Sequence, residues 1–191
     1  MFLLSKPDPA AMRSFLESQR GQPFSYPEAG ASRAAAPPGY NIDHNRIRLG
    51  HGRETFSKAI VAIRDWKMFD FDWIEIFPER APIEVGTSVA VMANHRGIYS
   101  LNAARIVYTV DSNDSGATYG FAYGTLVEHV EQGEERFIVE YDPANDAVWY
   151  DLFAFSKPRH PLARIAYPIS RYLQRRFAQA SLRAMLSAVN K

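Results

Sequence analysis

Hydrophobic and polar residues alternate along much of the chain after residue 40. Alternation with a period of two is typical of strands that bury one face. The segments that show it are 40–49, 85–93, 98–110, 119–130, 135–141 and 147–155. The last five are separated by short, turn-forming stretches rich in Asp, Asn and Gly. Because such connections suit hairpins and leave no room for helical crossovers, we predict an antiparallel sheet.

Three other segments have helical periodicity. The longest is Pro161 to Lys191, in which apolar residues recur at steps of three and four while several arginines occupy the opposite side. Its apolar stripe consists of Leu162, Ile165, Ile169, Leu173, Phe177, Ala180 and Ala184. Pro168 predicts a kink or a restart near Tyr167. Shorter helices are predicted after the Asp8-Pro9 cap and after the turn Gly50-His51-Gly52.

The simplest way to bury the stripe of the long helix is to lay it across the sheet. We therefore predict an α+β protein with a curved antiparallel sheet wrapped around a long C-terminal helix, and an extra N-terminal helix. The 191 residues are enough for a single domain, 1–191. Residues 1–39 form the N-terminal helix and a proline-rich loop, 40–157 the sheet with one inserted helix, and 158–191 the C-terminal helix. The loop is interpreted either as a lid over a site or as a tether.

Composition argues against several classes of protein. The absence of Cys removes disulfides, thiolate catalysis and Cys-ligated metals, and the five His have no metal-ligand spacing, so neither a metal nor a cofactor is predicted. The motifs of P-loop NTPases, serine hydrolases and dinucleotide enzymes are missing. A net charge of +1 gives no field that would gather nucleic acid. With no signal-peptide core and no run that could span a bilayer, we expect a soluble, cytoplasmic protein.

Aromatic residues occupy one face of two neighbouring predicted strands and point to a lined pocket. With two aromatic residues of the C-terminal helix, the set is Tyr119, Phe121, Tyr123, Phe137, Tyr141, Tyr172 and Phe177. Large rings of this kind either line a concave site or fill a solid core. On the other face of the first strand, Gly120, Ala122 and Gly124 would allow the sheet to curve or another segment to approach closely.

Three basic residues are candidates for holding the polar head of a ligand. His51 and Arg53 flank the glycine turn, whose free backbone N–H groups would suit an anion, although the glycines would equally serve a sharp corner. Arg105 interrupts an apolar strand, where it would either anchor an acid inside the concavity or pair with a carboxylate outside it.

The end of the chain offers a possible interaction surface. No acidic residue follows Asp151, while eight basic residues do, which predicts either a binding patch or a solvated helix face. On the side of the helix opposite the main stripe lie Leu182, Met185, Leu186 and Val189. These residues need a partner, which would be the N-terminal helix or a second copy in a homodimer.

Several motifs resemble, in order and spacing, a family of bacterial and plant proteins classed as domain-of-unknown-function family nineteen-ninety. They are Phe24-Ser25-Tyr26-Pro27-Glu28, Arg48-Leu49-Gly50-His51-Gly52, Gly120-Phe121-Ala122-Tyr123-Gly124-Thr125-Leu126, Val148-Trp149-Tyr150 and His160-Pro161-Leu162-Ala163-Arg164. The resemblance implies the helix-grip fold of START and Bet v 1-like proteins, in which a curved sheet wraps a long helix around a cavity. It supplies no catalytic residues.

We predict that the protein binds a small apolar or lipid-like molecule in a cavity between the sheet and the C-terminal helix. One alternative is an enzyme of lyase, isomerase or hydrolase type that acts on such a ligand. It would need a titratable pair facing one pocket. Another alternative is a protein-interaction module without a ligand, which rests on the basic helix face and the Leu182 stripe.

Overall fold

The computed structural model describes residues 1–112, 116–159 and 167–191. The helices are α1 (Pro9–Ser18), α2 (Gly52–Arg64) and α3 (Tyr167–Val189), with single 3₁₀ turns at Ala31–Arg33 and Lys67–Phe69. The strands are β1 (Phe2–Leu3), β2 (Asn41–His51), β3 (Ile74–Phe77), β4 (Ser88–His95), β5 (Ile98–Ser112), β6 (Ala117–Thr125), β7 (Glu131–Asp142) and β8 (Ala147–Pro158). Every strand segment predicted from the alternation is present, and the short β1 and β3 are additional.

The strands form one antiparallel sheet that curves around α3, which confirms the predicted fold class. Across the described residues its order is β2-β8-β7-β6-β5-β4-β3, and β1 pairs with the start of β5. Glycines permit the tight curvature. A Cβ on Gly120 would lie 2.1 Å from the carbonyl oxygen of Phe137, and one on Gly133 would lie 2.0 Å from that of Phe155. No larger residue fits these approaches between neighbouring strands.

The main core lies on the concave side of the sheet, where α2, α3 and the 3₁₀ turn Lys67–Phe69 cover the strands. Trp66 is central to it: its ring lies 4.9 Å from that of Phe121, and its indole N–H donates to the carbonyl of Ala81 at 2.8 Å. Burial of such large rings is a main source of stability in a domain of this size.

The face that α3 buries overlaps only in part with the stripe that the sequence pattern predicted, since Phe177 of that stripe packs against the main core. Its buried residues are Ala178, Ser181, Leu182, Met185 and Val189. Ile169 of the predicted stripe is instead 62% exposed, and Leu162 and Ile165 lie outside the described residues. Leu186 also packs against the main core. The prediction that this stripe forms a homodimer interface is therefore corrected. Its side chains pack inside the protein, because the sheet and the Lys67–Phe69 turn cover that side of the helix.

The convex side of the sheet is covered by α1 and by residues 22–40, which we call the belt. Met12 and Phe15 of α1 pack with residues of β4 and β5. Asp8 caps this helix as predicted, because its carboxylate accepts a hydrogen bond from the Ala11 N–H at 2.8 Å. The belt follows the sheet closely, with the Ser25 N–H donating to the Thr125 carbonyl at 2.9 Å. Of the two interpretations of the proline-rich loop, this position matches the tether.

One buried carboxylate fastens the belt to the sheet. Glu134 of β7 is 3% exposed and accepts hydrogen bonds from the Tyr26 hydroxyl and the Gly30 N–H, both at 2.7 Å. The Ser32 N–H (3.0 Å) and the Ser32 hydroxyl donate to its other oxygen. A carboxylate offers about four lone-pair sites, so this arrangement uses its full capacity.

Candidate functional site

A cavity of about 420 Å³ lies between the concave face of the sheet and α3. All eight strands of the described sheet contribute residues, and α3 contributes residues from its first three turns. Its apolar lining includes Trp73, Val91, Ala93, Leu152, Ala154, Ile169, Leu173, Phe177 and Ala178. The site is thus bounded by one wall of sheet and one of helix, as the helix-grip arrangement predicts.

Two titratable side chains form a hydrogen-bonded pair in this cavity. Tyr123 and Glu135 stand opposite each other on β6 and β7, and the Tyr123 hydroxyl donates to Glu135 Oε2 at 2.7 Å. Burial raises the pKa of Glu135 to about 7, against the lowering effect of the hydrogen bond from Tyr123. Burial, with the nearby Glu135 charge, also raises the pKa of Tyr123 well above its usual value. Near neutral pH, Glu135 therefore exchanges a proton while Tyr123 keeps its own.

A second carboxyl group, Glu131, lines the same cavity four residues earlier on β7. Alternation puts both acids on the concave face, separated by roughly 13 Å along the strand. Burial raises the pKa of Glu131 to about 7, and the charge of Arg171 opposes this. Its Oε2 is buried and accepts no hydrogen bond from the described part of the chain.

The two histidines of the cavity are neutral at physiological pH. Burial and the charge of Arg176 lower the pKa of His95. Burial lowers that of His129 to about 3, and its Nδ1 accepts a hydrogen bond from the Glu131 N–H at 3.0 Å. Neither imidazole supplies a positive charge to a ligand.

An ion pair at the cavity wall attaches α3 to the sheet. The two terminal nitrogens of the Arg171 guanidinium donate to the Asp43 carboxylate at 2.6 and 2.7 Å. Gln174 adds a hydrogen bond from its amide to Ser156 Oγ at 3.0 Å. A bidentate pair fixes both position and orientation, so the cavity keeps a defined width at this end.

The structure brings only part of the predicted site together. Tyr123 and Phe177 line the cavity. Phe121 and Phe137 lie on the same face but have no exposed surface, and their rings pack 5.3 Å apart against Trp66 and Phe69. Of the two interpretations of the aromatic face, the solid core describes Phe121 and Phe137, and the lined pocket describes Tyr123 and Phe177.

The other predicted tyrosines lie away from the cavity. The Tyr119 hydroxyl accepts a hydrogen bond from Arg64 Nε at 3.1 Å, and the Tyr141 hydroxyl donates to Asp146 at 2.9 Å. Tyr172 is 64% exposed on the outer side of α3. Tyr119 and Tyr141 therefore lie on the predicted face of the sheet but do not line the cavity, whereas Tyr172 lies on the side of α3 that faces solvent.

The three predicted basic anchors have other partners. Arg105 lies on the convex face and donates to the backbone carbonyls of Gln22 (2.8 Å) and Gln19 (3.1 Å), so it connects α1 with the belt. His51 accepts a hydrogen bond from Arg48 on the surface, and Arg53 stacks 5.0 Å from the Tyr141 ring.

The glycine turn at the N-terminus of α2 is likewise occupied by the protein itself. The Gly52 N–H donates to the Asp146 carbonyl at 3.0 Å. Among the two interpretations of this turn, the sharp corner between β2 and α2 describes it best, since the chain supplies an acceptor for the N–H group that an anion would have used.

Sequence reasoning missed the carboxyl groups that lie in the cavity, although a signal was present. Glu135 falls on the same alternating face as Phe137 and Tyr141, where a charged residue is out of place unless the face borders a polar site. Glu131 precedes the segment predicted as a strand, so its face was not assigned.

A larger cleft of about 1040 Å³ lies at the β3 edge of the sheet, between α1 and residues 65–70. Its lining is rich in charged residues, among them the exposed Arg13, Arg20, Asp65 and Asp70 and the half-buried Lys67. This chemistry fits a solvated groove rather than a site for an apolar molecule.

Two negative results hold for the described part of the chain. No three His, Asp or Glu side chains are grouped closely enough to hold a metal ion. Its helices also include none that combines the length and apolar character needed to cross a bilayer.

Comparison with known sequences gives matches over nearly the full chain. The model of the family described as "Domain of unknown function (DUF1990)" matches residues 25–184. A UPF0548 protein of Dictyostelium discoideum is 34% identical over 207 residues, covering 99% of this chain and 96% of that protein. A UPF0548 protein of Deinococcus radiodurans is 36% identical over 200 residues, covering 98% of each.

Solved structures with the same arrangement have low sequence identity. A hypothetical protein from Helicobacter pylori superposes with a TM-score of 0.54 at 15% identity, covering 80% of this chain and 94% of that one. The Zhui aromatase/cyclase from a Streptomyces species gives a TM-score of 0.52 at 12% identity, covering 79% and 94%. These superpositions establish a common fold, and at such low sequence identity they establish the fold alone. Together with the sheet and helix described above, they confirm the helix-grip prediction.

Proposed function

Since this chain belongs to the domain-of-unknown-function family DUF1990, we propose from its own geometry that it binds a small, largely apolar molecule between the sheet and α3. The observation that carries the proposal is the cavity of about 420 Å³ with its predominantly apolar lining. Sites for small molecules generally measure about 300–1,000 Å³ and combine such a lining with a few polar groups.

The choice of side chains around the cavity supports a site rather than a packing defect. Protein interiors are close-packed, and unfilled space in a core is destabilising. Beside the cavity the chain fills space with Phe121 and Phe137, yet around it small side chains recur, among them Ala93, Ala154 and Ala178. Small residues at these positions preserve volume that larger apolar residues would close.

The lining also reaches solvent, which gives a ligand a way in. Ile98 and Ile169 line the cavity and are 49% and 62% exposed. Apolar side chains at an opening would lower the cost of passing an apolar molecule from water into the protein.

Native mass spectrometry of the gently purified full chain would test the proposal. We expect a mass above that of the 191-residue chain, and release of a stoichiometric apolar compound on denaturation. Ala154→Phe fills the cavity from β8 and should abolish the added mass while circular dichroism shows an intact fold. Gln179→Phe adds the same ring on the exposed side of α3, so it is the matched control and should keep the ligand. Equal ligand content in both variants would contradict the proposed site.

A second candidate function is acid–base chemistry on the bound molecule, favoured by the Tyr123–Glu135 pair. A carboxyl group with a pKa of about 7 suits proton transfer near neutral pH, and the tyrosine hydroxyl would orient it. The released compound would be incubated with the protein and analysed for conversion. Conversion by the wild type and none by Glu135→Gln would support this function; an unchanged compound would leave binding alone.

A further inference from the structure

Two carboxyl groups face the cavity without a matching cation. Asp43 is paired with Arg171, whereas the Glu134 side chain points to the belt on the other face of the sheet. Glu131 and Glu135 remain. Within the described ranges no Lys or Arg side chain lines the cavity.

The basic groups that border the cavity have other partners, and the Met1 ammonium donates to the carbonyls of Leu101 and Glu128. Arg171 donates to Asp43 through both terminal nitrogens. The guanidinium of Arg176 lies 4.5 Å from the centre of the Trp73 ring, in an exposed position on α3. The protein thus supplies carboxyl groups to the inside of the cavity and keeps its positive charges at the wall or outside it.

This distribution discriminates between classes of apolar ligand. An anionic head group would meet like charges in a poorly solvated space, which is unfavourable. A neutral alcohol gains only a hydrogen bond from Glu135. A protonated amine gains a charge-assisted hydrogen bond, and it compensates a carboxylate that burial otherwise disfavours.

We propose that the ligand is an apolar amine whose ammonium group pairs with Glu135 while its hydrocarbon or aromatic part occupies the apolar remainder of the cavity. The Tyr123 hydroxyl positions the Glu135 carboxylate by donating a hydrogen bond to Oε2, and Glu135 Oε1 can then accept a hydrogen bond from the ammonium group. This inference rests on the proposed function and specifies its ligand class.

Calorimetric titration of the full chain with decylamine, decanol and decanoic acid isolates the head group, because the three probes share one alkyl chain. At about pH 8 decylamine should bind at least about tenfold more tightly than decanol, as expected of a charge-assisted hydrogen bond. Decanoic acid should bind most weakly. Equal affinity for amine and alcohol would overturn the amine inference and leave the binding function standing. Failure of all three to bind would count against both.

Two variants on β7 test whether Glu135 causes the preference for decylamine over decanol. Glu135→Gln should lower the affinity for decylamine by at least about tenfold and the affinity for decanol much less, because the Gln side chain still offers the alcohol an acceptor oxygen. Glu140→Gln is the matched control, because Glu140 lies on the same strand but faces outward to Arg46. A preference that survives Glu135→Gln would overturn the assignment. The wild-type probe series remains decisive even if Glu135→Gln does not fold.

The pH dependence gives an independent check. Between about pH 6 and about pH 8 the amine stays protonated while Glu135 ionises, so decylamine should bind more tightly as the pH rises and decanol should not. The titratable groups that act on Glu135 are Tyr123 on β6, Tyr150 on β8 and Asp43 on β2, and Asp43 is paired with Arg171 of α3. Glu131 lies farther along β7 in the same cavity. Of these, Glu131 also ionises in this range and acts in the same direction. A flat amine affinity would contradict the inference.

Discussion

Replacing Glu134 by Gln tests whether one buried carboxylate fixes the belt to the convex face. Each oxygen of Glu134 accepts from one backbone N–H: Oε2 from Gly30 and Oε1 from Ser32. Gln has the same size but only one acceptor oxygen. Whichever way its amide points, either the buried N–H of Ser32 or the partly buried N–H of Gly30 loses its acceptor.

The magnitude follows from the count of bonds. An unsatisfied buried donor costs about 1–3 kcal/mol, and the remaining bonds lose their charge assistance. We therefore expect Glu134→Gln to lower the free energy of unfolding by roughly 2–4 kcal/mol, a large share of the ~5–15 kcal/mol typical of a domain. The corresponding fall in Tm is roughly 5–15 °C for a chain of this length.

Urea denaturation combined with hydrogen exchange would measure both the global and the local effect. The amides of Gly30 and Ser32 should lose protection in Glu134→Gln. Glu140→Gln removes a partly exposed pair with Arg46 and should change stability by less than about 1 kcal/mol. A change below about 0.5 kcal/mol in Glu134→Gln, with the exchange of both amides unaltered, would refute the reasoning.

Three further predictions concern other parts of the molecule. Gly124→Ala would place a Cβ 2.1 Å from the Tyr26 hydroxyl, and urea denaturation should show a loss of roughly 1–3 kcal/mol. Met185→Ala should lower the free energy of unfolding by about 2–5 kcal/mol, because this side chain has no exposed surface. Ser187→Ala, at an exposed position of the same helix, should leave it unchanged. Because the Leu182 stripe is buried within the chain, light scattering should give the same mass for both variants. Burial raises the pKa of Glu135 from 4.5 to about 7. In the pH window between these two values, the folded state therefore holds a proton that the unfolded chain has released. Stability should therefore fall as the pH rises through the window, and less so in Glu135→Gln; equal slopes would contradict the shift.

The strands could be predicted from the sequence because their two faces differ strongly in polarity. On β6, Phe121 and Tyr123 alternate with the small Gly120 and Gly124, and this contrast fixes both the strand and its inward face. The small face also predicted a close approach, which Tyr26 of the belt makes at Gly124. Strands β1 and β3 have only two and four residues, too few for a period to be recognised.

The buried face of α3 and the extent of the cavity could not be predicted in this way. Apolar residues occur on two sides of the helix, and the side that is buried depends on where the Lys67–Phe69 turn meets the sheet. Tyr123 and Phe121 are indistinguishable by pattern, yet one borders the cavity and the other is packed beneath Trp66. That difference depends on the distance between layers, which residues far apart in the chain determine.

The contacts that complete the molecule join very distant parts of the chain, and this has a consequence for the order of folding. The Asp43–Arg171 pair spans 128 residues and the Tyr26–Glu134 hydrogen bond spans 108. The strands from β4 to β8, in contrast, each pair with the next strand along the chain, so their hairpins close over short loops. Closing a long loop costs entropy before any contact compensates it, so we expect the hairpins to form first. The helix and the belt would then attach to a sheet that already exists, and the cavity would be the last feature of the protein to appear.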